Sequence, residues 1–268
     1  MKNRIKELQK ELKKERGKSS IIVYFTLRIL VIICMILEFL RGDLNNAFLC
    51  LLSLILLLMP FILKKKLKID FPNTLEIIIM LFIFSAEILG EINNFYQVIP
   101  HWDSILHTLN GFLAAGVGFS LFDLLNKNVD SIKLSPFFLV LVSFCFSMTI
   151  GVLWEFFEFA ADNSFLNTDM QKDRIVEKIQ SVKINPEGKN TPVIIDNIEY
   201  TIIYSKEGNK IVENKIDGYL EIGLIDTMKD LVVNFIGALV FSIFGFLYIL
   251  NRDKYKFINH FIVKKGTT

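Results

Sequence analysis

Long runs of uncharged, apolar residues dominate this 268-residue sequence and restrict its fold more than any other feature. A bilayer core about 30 Å thick is crossed by roughly 20 apolar residues of α-helix. Six stretches approach this requirement: 20–39, 47–63, 75–92, 105–123, 135–157 and 230–250. The third is the most interrupted, because only ten uncharged residues separate Glu76 from Glu87. The pattern predicts an all-α, polytopic membrane helix bundle with six transmembrane helices, and it argues against an ordinary soluble domain.

Basic residues are concentrated in alternate short loops, and their distribution predicts the orientation in the membrane. The first nineteen residues carry eight Lys or Arg, and the segment 64–68 carries four Lys. The intervening loop 90–104 carries neither. Counting by the positive-inside rule therefore predicts both termini in the cytoplasm and a multi-pass protein of the bacterial cytoplasmic membrane.

The remaining segments predict the domain organisation. The expected order is a basic cytoplasmic N-terminal segment (1–19), transmembrane helices one to five (20–162), an extracytoplasmic insert (163–225), the sixth helix (226–250) and a cytoplasmic tail (251–268). Within the insert, 169–183 predicts a short amphipathic helix, and the β-branched and aromatic residues from Val193 to Tyr204 predict strands. The three cysteines fall inside predicted spans, which argues against a disulfide framework and against a thiolate metal site.

Charged residues within or beside membrane helices are costly, so each predicts a functional role. Here they are concentrated at one end of predicted helices four, five and six. They are Asp103 and His107 on helix four, Glu155 and Glu158 on helix five, and Asp226 and Asp230 on helix six, where the polar Asn234 continues the same face. Spacings of three or four residues place each set on one helical face. Small residues such as Gly111 and Gly237 allow close helix approach, so we expect the polar faces to converge on one outward-facing pocket.

Several carboxylates in one pocket require a cation, shared protons or basic partners. Asp, Glu, His and Asn side chains suit a divalent ion such as Mg²⁺, Mn²⁺ or Zn²⁺. The predicted metal ligands are His107, Glu155, Glu158, Asp230 and Asn234. The predicted catalytic residues are Asp103, His107, Glu155, Glu158, Asp226 and Asp230. The alternative is a purely structural polar network, with acids that stabilise helix termini.

Three segments of these helices resemble, in order, the signature segments of the YjdF-like family of uncharacterised bacterial inner-membrane proteins. They are DSILHTLNGFLAAG (103–116), VLWEFFEFAAD (152–162) and GLIDTMKDLVVNFIGALV (223–240). The last is also similar, more faintly, to VanZ-like membrane proteins linked with glycopeptide resistance. The resemblance implies roles for Asp103, His107, Gly111, Glu155, Glu158, Asp226, Asp230 and Gly237. The long 163–222 insertion departs from the family pattern.

These features lead to a first hypothesis of a metal-dependent enzyme acting on a lipid or envelope precursor at the outer face of the membrane. A non-catalytic envelope or ligand-binding protein is the alternative. A transporter is less well supported, because 136–153 and 231–250 contain no charged residue. The expected partners are the lipid bilayer and a lipid or envelope-precursor ligand, and nothing in the sequence indicates nucleic-acid binding.

Overall fold

The computed structural model describes residues 18–67, 69–128, 133–164 and 169–266. Its helices are α1 (Lys18–Arg41), α2 (Leu44–Leu56), α3 (Met59–Leu67), α4 (Asn73–Phe84), a π-helix (Ser85–Ile92), α5 (Phe95–Val98), α6 (Trp102–Asn128), α7 (Pro136–Asp162), α8 (Leu224–Leu250) and a 3₁₀ helix (Lys256–His260). Its strands are β1 (Ile69–Asp70), β2 (Arg174–Val176), β3 (Ile179–Ser181), β4 (Val193–Ile195), β5 (Thr201–Glu207), β6 (Lys210–Ile216), β7 (Tyr219–Glu221) and β8 (Lys264–Lys265). The predicted N-terminal segment 1–19 lies outside the described residues except for its last two positions.

Five helical segments of the described chain are long and apolar enough to cross a membrane. They are Ser19–Arg41, Leu44–Lys66, Trp102–Lys127, Pro136–Asp162 and Leu224–Leu250. These segments coincide with five of the six predicted spans, so a multi-pass helical membrane protein is confirmed. The second segment comprises α2 and α3, which are separated by a turn at residues 57–58. Pro60 follows this turn at the start of α3, where its missing N–H is tolerated.

The third predicted span, 75–92, is not among these five segments. It is helical, but α4 gives way at Ser85 to an eight-residue π-helix that carries Glu87 and Glu91. Acidic residues at both ends leave only a short uncharged run, which is the physical reason that its hydrophobic signal is weak. A six-span bundle with both termini on the same side is therefore not confirmed.

The chain divides into two compact units, Met1–Gly151 with Leu231–Thr268, and Val152–Asp230. In the first unit, one apolar cluster joins Leu27 and Val31 of α1 to Cys50 and Leu54 of α2. A second cluster joins α6, α7 and α8 through residues that include Ala115, Phe119, Leu139, Ala238 and Phe241. Burial of these side chains follows from the apolar faces that the sequence provides on each helix.

Within the first unit, α6 and α8 approach so closely that their backbones are in contact. A Cβ atom added to Gly111 would collide with the Asn234 carbonyl oxygen, and one added to Gly237 would collide with the Thr108 carbonyl oxygen. Packing of this kind replaces the hydrophobic effect as the source of helix association in lipid. The expectation that Gly111 and Gly237 permit close helix approach is therefore confirmed.

The C-terminal residues of the first unit pack against the end of α6. The backbone N–H of Val263 donates to Ser120 Oγ at 2.8 Å, and β8 pairs with β1 in antiparallel register. The buried carboxylate of Asp123 is paired with Lys127 and, at 3.3 Å, with Arg252. The contacts at Ser120 and Asp123 hold the tail against α6, the helix whose first two turns carry Asp103 and His107.

The second unit contains three antiparallel strand pairs, β2 with β7, β3 with β4, and β5 with β6. The strands predicted between Val193 and Tyr204 are confirmed as β4 and the start of β5. The prediction of an amphipathic helix over 169–183 is wrong, because this segment contains β2 and β3. The pairing of Ile175 with Leu220 and of Ile179 with Ile195 explains the difference. Partners so far along the chain override a local helical pattern.

Candidate functional site

The first two turns of α6 carry an aspartate and a histidine on the same face. Nε2 of His107 lies 3.4 Å from Oδ1 of Asp103, and the two side chains are 10% and 14% exposed, respectively. Asp103 lies in the first turn of the helix, where the helix dipole stabilises a negative charge. A carboxylate beside an imidazole fixes the orientation and tautomer of the ring. The pair is suited to metal coordination or to proton transfer.

One turn further along α6, Asn110 forms a polar contact with Asn234 of α8. Nδ2 of Asn110 donates to Oδ1 of Asn234 at 3.2 Å, and Asn234 is almost fully buried. Its own Nδ2 lies 3.7 Å from Met148 Sδ, in a space left by Gly151, where a Cβ would lie 2.6 Å from that nitrogen. The amide therefore contributes to helix packing, and its role as a metal ligand stays a prediction.

The first turns of α8 carry Asp226 and Asp230, each only 2% exposed. Asp226 accepts a hydrogen bond from the backbone N–H of Lys172 at 3.1 Å and is paired with Arg174 Nη2 at 3.5 Å. Lys229 Nζ lies 3.9 Å from Asp226 Oδ1 and 4.0 Å from Asp230 Oδ1. These cations offset part of the repulsion between the two buried carboxylates.

The end of α7 carries Glu155 and Glu158, which are three residues apart and both buried. Oε1 of Glu158 accepts a hydrogen bond from Trp154 Nε1 at 2.8 Å. Trp154 itself is half-exposed. An indole with one apolar face and one hydrogen-bonded N–H is typical of the interfacial aromatic belt, as its position near the end of a membrane helix also indicates.

Three of the predicted site residues form a candidate metal-binding group. Asp103, His107 and Asp230 each offer one ligand atom, and these atoms lie within 4.8 Å of one another. One imidazole nitrogen and two carboxylate oxygens fit Zn²⁺ or Mn²⁺, and three protein ligands leave coordination positions for water or substrate. Within the described part of the chain, this group does not include Glu155, Glu158 or Asp226.

The sequence reasoning missed the basic partners of the α8 acids. Lys229 had a local signal, because it follows Asp226 by three residues and therefore lies on a neighbouring helical position. Arg174 had none, since it belongs to β2 and lies 52 residues from Asp226 along the chain. The structural role of Asp162 was also missed. Its carboxylate accepts hydrogen bonds from the backbone N–H groups of Met170 and Gln171, each at 2.8 Å.

Comparison with known proteins assigns the chain to a family. Residues 22–251 match the family model described as "Predicted membrane protein (DUF2238)". The chain belongs to the DUF2238 family. An uncharacterised protein of Thermotoga maritima is 26% identical over 113 residues, which are 42% of this chain and 57% of the relative. The match thus spans little more than half of the relative's length, and no solved structure matches the chain significantly.

Membership of DUF2238 confirms a predicted membrane protein and agrees with the five apolar helices. The expectation of a multi-pass membrane protein from an uncharacterised family is thereby met at this coarser level. The resemblance to the YjdF-like family is not confirmed by the match. The DUF2238 description names no activity, and the polar residues of α6, α7 and α8 are the features of the chain that indicate chemistry.

Proposed function

We propose that this DUF2238 protein is a divalent-metal-dependent enzyme of the bacterial cytoplasmic membrane that acts on a lipid or envelope precursor at the outer face. The observation that carries the proposal is the group of Asp103, His107 and Asp230, whose ligand atoms lie within 4.8 Å of one another. Ionisable residues in membrane helices are energetically costly, and such residues typically mark functional sites.

The donor set suits a divalent cation both electrostatically and chemically. Two carboxylates balance a charge of +2, so a loaded site carries little net charge in a medium of low dielectric constant. A divalent ion in such a site would activate a bound water for attack on a substrate. Asp103 would orient the His107 ring through their 3.4 Å contact. We retain Glu155, Glu158 and Asp226 as proposed acid–base groups or additional ligands, and Asn234 as a proposed ligand.

We also propose the six-span topology with both termini in the cytoplasm. The twelve residues of α4 and the eight of the π-helix together provide the roughly 20 residues that one crossing requires. This crossing would put the start of α6, the end of α7 and the start of α8 at the outer face. The 163–225 segment would then be extracytoplasmic, so a substrate would reach the site from the outer leaflet.

Metal content of the purified protein tests the first part of the proposal. Full-length protein in detergent is exposed to Zn²⁺ or Mn²⁺, and unbound ions are removed by gel filtration. The protein is expected to retain about one ion per chain, because a catalytic site typically binds one ion through three protein ligands. His107→Ala and Asp230→Asn should each lower this occupancy by at least tenfold. Asp217→Asn is the matched carboxylate control, because its side chain is 91% exposed, and His101→Asn is the histidine control.

His101 suits this purpose because it is exposed and lies outside the metal-binding group. Its φ is +62°, a left-handed conformation that asparagine tolerates. Wild-type protein that binds neither ion, or His107→Ala protein that binds as well as the His101→Asn control, would overturn the metal assignment.

Turnover in nanodiscs of bacterial polar lipids tests the second part. We expect mass spectrometry to detect a lipid that wild-type protein consumes with metal, and that His107→Ala protein leaves intact. Metal-loaded wild-type protein that changes none of the lipids in a complete envelope extract would contradict an enzymatic role. That result, combined with retained metal, would instead favour a non-catalytic binding protein.

A further inference from the structure

Two basic side chains lie beside the buried carboxylates at the start of α8. Nη2 of Arg174, on β2, lies 3.5 Å from Oδ1 of Asp226, and Nζ of Lys229 lies 3.9 Å from the same oxygen. Lys229 Nζ also lies 4.0 Å from Oδ1 of Asp230. The Arg174 and Lys229 side chains are 40% and 31% exposed, whereas both carboxylates are buried. The two cations are therefore the accessible part of this cluster.

These ion pairs leave donor capacity on both cations. Charge-assisted N–H···O bonds are typically about 2.7–2.9 Å long, so Lys229 Nζ lies beyond hydrogen-bonding distance of either carboxylate. The Arg174 contact is at the long limit for a hydrogen bond, and a guanidinium carries several N–H donors in a planar fork. A further anion at the accessible edge could accept shorter bonds from both cations.

The charge of the metal-loaded site also favours an anion. In the proposed metal site, the carboxylates of Asp103 and Asp230 offset the charge of a divalent ion. Arg174 and Lys229 are then opposed by Asp226, which leaves an excess of positive charge. Phosphate suits this surrounding because its oxygens can accept from a guanidinium and an ammonium group at the same time.

Lys229 also lies on an exposed apolar face of α8. Ile225, Val232 and Ile236 stand four, three and seven residues from Lys229, which places all four residues on one side of the helix. The three aliphatic side chains are exposed, and we call them the α8 apolar face. From Lys229 to Ile236 the helix rises roughly 10 Å. An acyl chain along this face would therefore bring a headgroup phosphate to the level of Lys229.

We propose that the substrate of the metal site is a lipid with a phosphate headgroup, which Lys229 and Arg174 bind while an acyl chain lies along the α8 apolar face. This inference rests on the proposed function, in which Asp230 belongs to the metal-binding group. Because Lys229 Nζ is 4.0 Å from the Asp230 carboxylate, a phosphate bound by Lys229 would lie beside the ion.

Calorimetric titration of the full-length, Mn²⁺-loaded protein in dodecyl maltoside tests this inference with three probes. They are dihexanoyl phosphatidic acid, dihexanoylglycerol, which lacks the phosphate, and inorganic phosphate, which lacks the acyl chains. Wild-type protein should bind phosphatidic acid at least about tenfold more tightly than either other probe, because each of those lacks one of the two sets of contacts.

Lys229→Gln and Arg174→Gln should each weaken the binding of phosphatidic acid by about tenfold, as expected for the loss of one charge-assisted hydrogen bond. Both variants should retain Mn²⁺, because each substitution removes a positive charge that repels the ion. Lys189→Gln is the matched control, since Lys189 is highly exposed and pairs with Glu187, and its affinity for phosphatidic acid should equal that of wild type. A merely structural role for Lys229 and Arg174 would change the Tm and leave this affinity unchanged.

Equal affinity for phosphatidic acid in the Lys229→Gln, Arg174→Gln and Lys189→Gln variants would overturn the inference. Wild-type protein that binds dihexanoylglycerol or inorganic phosphate as tightly as phosphatidic acid would also overturn it. Retained Mn²⁺ in these cases would leave the proposed metal site intact. Wild-type protein that binds no Mn²⁺, but binds phosphatidic acid through Lys229 and Arg174, would overturn the metal assignment and support the phosphate-binding pair. If Lys229→Gln protein fails to fold, Arg174→Gln and the three-probe comparison decide the outcome.

Discussion

The contact between α6 and α8 predicts a sharp difference between two glycines of the same helix. A methyl group added at Gly237 would collide with the backbone carbonyl of Thr108, which adjoins His107. The same change at Gly245 would place the new carbon 3.3 Å from ring atoms of Phe119, which can move aside. Gly237→Ala and Gly245→Ala therefore form a matched pair that differs in the atom each substitution meets.

The free-energy difference can be estimated from the helix backbone and from the packing. Replacing glycine by alanine in a helix interior stabilises the folded state by about 0.5–1 kcal/mol. Overpacking in a well-packed core costs about 1–3 kcal/mol, and a backbone carbonyl cannot rotate away, so the upper end of this range applies at Gly237. The net destabilisation expected for Gly237→Ala is about 2 kcal/mol, whereas Gly245→Ala should be neutral or slightly stabilising.

Thermal unfolding of the two variants in the same detergent measures this difference. For a protein of this size, about 2 kcal/mol corresponds to a fall in Tm of about 4–8 °C. Gly237→Ala should also weaken metal binding, because separation of α6 from α8 displaces the backbone next to His107. A Gly237→Ala variant with the same Tm as Gly245→Ala would refute the claim that these two helices are in backbone contact.

Two further predictions concern carboxylates outside the proposed site. Asp123→Asn should lower the free energy of unfolding by about 1 kcal/mol, because the buried carboxylate loses its charge-assisted bonds to Lys127 and Arg252, both of which water can solvate again. Asp253→Asn is the control and should leave the stability unchanged, because the Asp253 side chain is highly exposed. Thermal unfolding of the two variants measures the difference. Partial desolvation and three nearby carboxylates raise the pKa of Asp173, so its ionisation opposes folding and stability increases as the pH falls through the raised pKa. Asp173→Asn should remove this component and stabilise the protein at pH 7 by a few tenths of a kcal/mol, as pH-dependent Tm measurements would show.

The sequence predicts the long helices well because hydrophobicity alone determines them. It gives a weaker result for 75–92, where Glu76 and Glu87 shorten the apolar run and the structure places a π-helix. The local pattern around Ile175 fails for a different reason, since the partner strand lies at Leu220. Pairings at such distance along the chain are invisible to a search for helical or strand periodicity.

The polar residues show the same division between local and distant information. The Asp103–His107 contact follows directly from their spacing of four residues on a helix. Local spacing likewise accounts for Arg28, whose guanidinium donates to the Tyr24 hydroxyl at 2.6 Å, one helical turn away. The Arg174–Asp226 pair depends on the path of the 163–225 segment, which no spacing rule predicts.

X-ray absorption spectroscopy at the metal K edge, on purified protein loaded with Zn²⁺ or Mn²⁺, identifies the ligand atoms of the proposed metal site. A site formed by Asp103, His107 and Asp230 should give nitrogen and oxygen ligands only, with the multiple-scattering signature of one imidazole that disappears in the His107→Ala variant. A hydrated ion without an imidazole signature, or sulfur in the coordination sphere, would contradict the assignment of Asp103, His107 and Asp230 as the metal site.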